Sequence, residues 1–69
     1  MKNPHRARIF ILDNCDWIDE IEHHPDAASP CDRWVGFKNQ EFLGKTKRIK
    51  AKSWADGEIV TFAKKLQRL

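Results

Sequence analysis

The sequence predicts a small α+β fold in β-α-β-β-α order, an antiparallel sheet covered on one side by a C-terminal helix. Three observations predict it. Residues 8–12 and 33–38 are short runs rich in β-branched and aromatic side chains, the composition of strands. Residues 45–52, Lys-Thr-Lys-Arg-Ile-Lys-Ala-Lys, alternate with the period of two that a half-covered strand needs. Ile59, Phe62, Ala63, Leu66 and Leu69 recur at the spacing of one buried helix face. A chain of 69 residues makes at most one domain, so residues 1–69 are read as a single small basic unit. At this size folding removes only about 60% of the exposed surface, which implies one thin core and little room for a deep substrate cavity.

Residues 1–6 are polar, hold a proline and are expected to fray. Arg8 to Leu12 reads as the first strand. Asp13 or Asn14 then caps a helix reaching His24, with Trp17, Ile18 and Ile21 as its apolar stripe and Asp16, Asp19, Glu20 and His23 on its outer side. Pro25 ends that helix, because the residue before proline is pushed out of the helical region. Residues 25–32 are turn-formers and read as a loop. Arg33 to Lys38 is the second strand, Asn39-Gln40 a tight turn, and the third strand starts near Glu41. On that strand the alternation sets Lys47, Ile49 and Ala51 on one side and Arg48, Lys50 and Lys52 on the other. From Trp54–Glu58 onward the long helical periodicity outweighs the hairpin signal of Asp56-Gly57, the competing reading. Ser53 with Asp56 resembles a capping box, and Lys64, Lys65 and Arg68 sit where the helix dipole favours cations.

Charge is unevenly distributed. Residues 1–12 carry +3, residues 13–32 carry −7 and residues 33–69 carry +7, so the net +3 describes a bipolar chain. The apolar run Ile9–Leu12 is too short for a signal-peptide core and no stretch approaches a membrane span, so a cytoplasmic location is expected. In that setting Cys15 and Cys31 are most economically reduced thiols, a Cys15–Cys31 disulfide being the alternative.

Gly44-Lys45-Thr46 looks like the end of a phosphate-binding loop, yet the glycine that motif requires further upstream is replaced by Asn39. No helix is expected after Thr46 to hold a phosphate at its N-terminus. Cys15, His23, His24, Cys31 and His5 are the right atom types for zinc, but no Cys-x2-Cys knuckle holds two thiolates, and adjacent histidines on a helix diverge by about 100°. Asp16 and Glu20 share a helix face without ligands from other elements to complete a metal site. Cys15 and His23 lack a third group that would make them a nucleophile and base. No catalysis, metal or cofactor is therefore expected.

What remains is the cationic strip. Lys45, Lys47, Arg48, Lys50 and Lys52, with Lys64, Lys65 and Arg68 nearby, suit phosphate contacts, and a two-stranded ribbon fits the DNA major groove. Lysines on an exposed edge also block sheet-to-sheet aggregation, which is the structural alternative. Trp34, Phe37 and Phe42 are assigned to the core. Two functions are carried forward. The first is a non-catalytic protein that docks nucleic acid or a nucleoprotein complex through 45–52 and the C-terminal helix. In inferred architecture, though not in any motif, this superficially resembles the arm-binding domains of phage-type integrases. The second is a small inhibitor or adaptor of the kind mobile elements encode, contacting a protein partner through the acidic helix 13–24 (Asp16, Asp19, Glu20) and the basic edge.

Overall fold

The computed structural model describes residues 2–68. Its elements are α1 (Pro4–Asn14), β1 (Glu20–His23), a 3-10 turn (Pro30–Asp32), β2 (Trp34–Phe42), β3 (Lys45–Trp54) and α2 (Asp56–Gln67). The three strands form an antiparallel sheet in the order β1-β2-β3, with both helices on one side. The α+β class, the antiparallel sheet and the C-terminal helix are as expected. The first two elements differ: the order is α-β-β-β-α.

Residues 8–12, expected as a strand, belong to α1. The side chain of Asn3 accepts from the backbone N–H groups of His5 (2.8 Å) and Arg6 (3.4 Å), and Pro4 supplies a pre-set φ in the first turn. The segment expected to fray is thus a helix start. Ala7 and Ile11 are fully buried and Cys15 continues their i, i+4 stripe, so this helix face is directed at the core in spite of its β-branched content.

Residues 13–24, expected as a helix, instead form the end of α1, a loop and β1. Glu20-Ile21-Glu22-His23 alternates outward and inward, with Ile21 in the core. Cross-chain hydrogen bonds flank it: Asp19 N–H donates to the Phe37 carbonyl (2.8 Å) and His24 N–H to that of Arg33 (2.7 Å). Ile18 is buried as expected, but Trp17 is 46% exposed and rests edge-on against Phe62 of α2.

The tight turn expected at Asn39-Gln40 lies further on. Both residues are in β2, which runs to Phe42 and pairs it with Lys45. Leu43 and Gly44 form the loop, at φ of +52° and +76°, the two positive values a type I′ hairpin turn requires. Glycine takes this conformation without strain, whereas leucine does so at a cost of roughly 1–2 kcal/mol.

Further back, Gly36 pairs with Lys52 and Phe37 with Lys50, so Ala51 is an extra residue without a partner. It forms a β-bulge, and the side chains of β3 exchange faces across it.

The core lies between the sheet and the helices. Trp34 and Trp54, paired across β2 and β3, are 0% and 1% exposed, and Ile11, Ile18, Ile21, Ile59 and Ala63 surround them. The Trp34 indole N–H donates to Asp56 (2.6 Å), whose other oxygen meets Arg33 at 3.4 Å. Asp56 therefore ties the sheet to the start of α2 and does not close the expected box with Ser53. Glu58 performs the capping, accepting from the Ala55 N–H (3.2 Å). Ile59, Val60 and Ala63 are buried, and Phe62 and Leu66 half-buried, as the periodicity requires. Leu69, the last member of that series, lies outside the described residues. Cys15 (buried) and Cys31 (exposed) are both free thiols. Among the described residues no helix is long and apolar enough to cross a membrane.

Two glycines make a paired test of this packing. A methyl group on Gly36 would meet the Trp54 ring at 3.1 Å, and one on Gly57 meets nothing within 4 Å. Gly36→Ala is expected to destabilise the fold by about 1–3 kcal/mol through overpacking. Gly57→Ala is expected to stabilise it by about 0.4–1 kcal/mol by reducing the chain entropy of the unfolded state. Urea unfolding of the two variants measures both.

Candidate nucleic-acid interface

The cations of β3 do not form one row: alternation sets Lys45 and Lys47 opposite Arg48 and Lys50, and the bulge parts Lys52 from that pair as well. Arg48 and Lys50 lie on the sheet face away from the helices, in register with Asn39 and Phe37 and with Glu20 and Glu22 of β1 beyond. Lys45 and Lys47 lie on the helix side with Ile49. Lys52, past Ala51, is also on the helix side, its ammonium 5.9 Å from the centre of the Phe62 ring. The expectation that Arg48, Lys50 and Lys52 project together is corrected here: strict alternation would require pairing without an extra residue.

Arg48 is held by the protein's own groups. Its guanidinium lies 4.0 Å above the Phe37 ring and reaches across β2 to Glu20 and Glu22, both at 2.9 Å. Phe37, expected in the core, is thus a half-buried platform on the open face. Lys50 faces Asp32 at 3.9 Å. Lys38 donates to the Asp16 carbonyl (2.9 Å) and meets Asp19, while Asp19 also accepts from the Asn39 N–H (2.7 Å). The acids expected on one helix surface, Asp16, Asp19 and Glu20, are therefore spread over a loop and a strand. Two of them neutralise neighbouring cations.

A different set of cations is left. Among the described residues, Lys45, Lys47 and Lys52 of β3 and Lys64, Lys65 and Arg68 at the end of α2 enter no salt bridge, nor do Lys2, Arg6 and Arg8 at the N-terminal end, and the six of β3 and α2 are all exposed. Lys52 and Lys65 flank a groove between β3 and α2 whose apolar wall is Trp54 and Phe62. Its volume is about 510 Å³, and it is a groove open to solvent, not a deep cavity. Beyond the groove the β2–β3 hairpin extends free of the helices, with residues 40–48 exposed throughout. Phe42, another expected core residue, is 73% exposed at its end, and Leu43 is 86% exposed.

A second cluster lies at the other end of β2. His23 stacks on Trp34 (3.9 Å, 12° between planes), and His5 meets both rings edge-on at about 5 Å. Among the described residues no three His, Cys, Asp or Glu side chains converge as metal ligands. Burial pushes the Cys15 thiol above its ordinary range.

Three carboxylates titrate below their usual range: Asp19 through the Asn39 N–H and Lys38, Glu22 through Arg48 and His24, and Asp56 through the Trp34 indole and Arg33. Comparison of the chain with protein-family models, with curated proteins and with solved structures finds no match in any of the three.

The lowered carboxylates set a pH dependence. Each binds its proton less readily in the folded chain than in the unfolded one, so the unfolded state takes up more protons in acid. Stability should be full above the ordinary carboxylate range and fall progressively below about pH 4–5. Asp56→Asn should flatten the profile, as read by thermal melts from neutral pH to about pH 2.

Proposed function

We propose that the protein is a non-catalytic nucleic-acid binder that grips phosphates along one side of the molecule. Lys45, Lys47 and Lys52 on β3 and Lys64, Lys65 and Arg68 on α2 are the contacts. The observation that carries this reading is the division of the cations. The acids of β1 and the adjoining loops neutralise Lys38, Arg48 and Lys50, whereas these six have no ion-pair partner among the described residues. Uncompensated cations repel one another and contribute nothing to a core, and polyanion binding gives them a use. The groove between Lys52 and Lys65, walled by Phe62, adds a place where an unpaired base can stack between phosphate contacts. Arg48 and Lys50 become secondary, since binding through them first requires breaking their own ion pairs. The alternative, an inhibitor or adaptor contacting a protein partner through an acidic helix 13–24 and the basic edge, keeps the basic edge alone, because residues 13–24 do not form a helix.

Mobility-shift titrations at two salt concentrations, with duplex DNA and with RNA, test this. The variant Lys45→Gln/Lys47→Gln/Lys52→Gln should bind more weakly, with a log–log salt slope reduced by about 0.9 for each duplex-DNA phosphate it no longer neutralises. Arg48→Gln should change the slope much less. Unchanged binding in the triple variant, or no binding by the unmodified protein at low salt, would overturn the reading.

A further inference from the structure

The tip of the β2–β3 hairpin is built against its own stability. Leu43 is in the left-handed region, at the loop position where asparagine, aspartate or glycine is favoured, and its side chain is 86% exposed. Phe42 beside it is 73% exposed. Neither touches the core, and a ribbon exposed over residues 40–48 holds both away from the body of the molecule. A strained, exposed leucine next to an exposed phenylalanine does nothing for the isolated fold. Such outliers are kept where a partner uses them.

The surroundings of the tip narrow down the partner. Lys45 directly follows the turn and pairs with Phe42, and Lys47 lies two residues on along the same face, both without an ion-pair partner among the described residues. Glu41 is the single acid between residues 39 and 50. An apolar end flanked by free lysines on a narrow two-stranded arm complements duplex DNA, whose phosphates line a groove above stacked, apolar base faces.

Resting on the nucleic-acid reading above, we propose that the hairpin is a DNA-bending arm. Lys45 and Lys47 hold the phosphates on either side of a groove, and Leu43 with Phe42 wedges between adjacent base pairs. The wedge partly unstacks one step and kinks the duplex away from the arm. Pyrimidine–purine steps, which unstack most readily, are the preferred sites. The tight two-residue turn keeps the wedge at the leading end of the arm, where a longer flexible loop would let it fold back.

The test uses the whole chain and a duplex of about 30 base pairs carrying a dye at each end, with a central TA step in an otherwise mixed sequence. Energy transfer reports the end-to-end distance, and a mobility shift of the same duplex reports binding. The unmodified protein should shorten the end-to-end distance by an amount equivalent to a bend of about 20–90°. Leu43→Asn places a residue that favours the turn, so its melting temperature should hold or rise while the bend disappears. Its salt slope should be unchanged, because every phosphate-binding lysine is still present. Phe42→Ala should reduce the bend in the same direction.

Binding by the unmodified protein without bending would overturn the proposal and leave the nucleic-acid reading intact; the tip would then be a contact for a protein or lipid surface. Full bending by Leu43→Asn would overturn it equally. Absence of any binding to the duplex would overturn both.

Discussion

The pairing of Trp34 with Trp54 is the constraint on which the rest of the structure depends. In a core this thin, two indoles are the largest fully buried side chains between sheet and helices, and each must find room on a backbone that is fixed elsewhere. Room comes from Gly36, whose missing side chain admits the Trp54 ring. Orientation comes from Asp56, which holds the Trp34 N–H, and from the His23 ring stacked on the same indole. Once the two tryptophans are opposite one another, the register of β2 and β3 is set at its root. The bulge at Ala51 and the turn at Leu43-Gly44 follow from that register.

The bulge then decides the electrostatics. Without Ala51 in excess, Lys52 would join Arg48 and Lys50 on the open face, within the field of Glu20, Glu22 and Asp32. With it, Lys52 turns toward α2 and the Phe62 ring, across the groove from Lys65, while Arg48 and Lys50 remain among the acids. The extra residue thus parts Lys52 from the ion-paired Arg48 and Lys50, as alternation already parts Lys45 and Lys47 from them. The charge asymmetry of the sequence is in this way partly folded away: the acidic segment neutralises part of the basic one, and the remainder stays exposed on β3 and α2.

The sequence is most informative where a single period runs long. Residues 59–66 repeat the helical spacing far enough to override Gly57 and the Asp56-Gly57 turn signal, and the helix is there. It misleads where short segments satisfy two patterns. Ile9-Phe10-Ile11-Leu12 has strand composition, yet Ala7, Ile11 and Cys15 share one helical stripe, and Asn3-Pro4 is a helix-start signal lying in a polar segment that resembles a loose end. Glu20-Ile21-Glu22-His23 alternates over only four residues, too few to compete with the apparent helix around it. The bulge leaves no trace, because Ala51 fits the lysine alternation as well as any residue in it. The bonds from Arg48 to Glu20 and Glu22 join distant parts of the chain, and only the register of three strands brings them together. At the hairpin end Gly44 alone suggests a turn; Leu43 is a residue that the type I′ turn disfavours, so the pair gives no readable hairpin signal.

The strand order leaves β3 at a margin of the sheet, with ten residues of backbone open to pairing along one side. An unguarded margin of that length invites a second copy of the chain to add its own strand and extend the sheet. Here two such margins brought together would set the cations of one β3 against those of the other, at separations shorter than the roughly 8 Å over which charge is felt at physiological ionic strength. The side chains proposed here to hold a polyanion would thus also keep identical molecules apart, and a bound anion masking them would remove that protection along the stretch it covers.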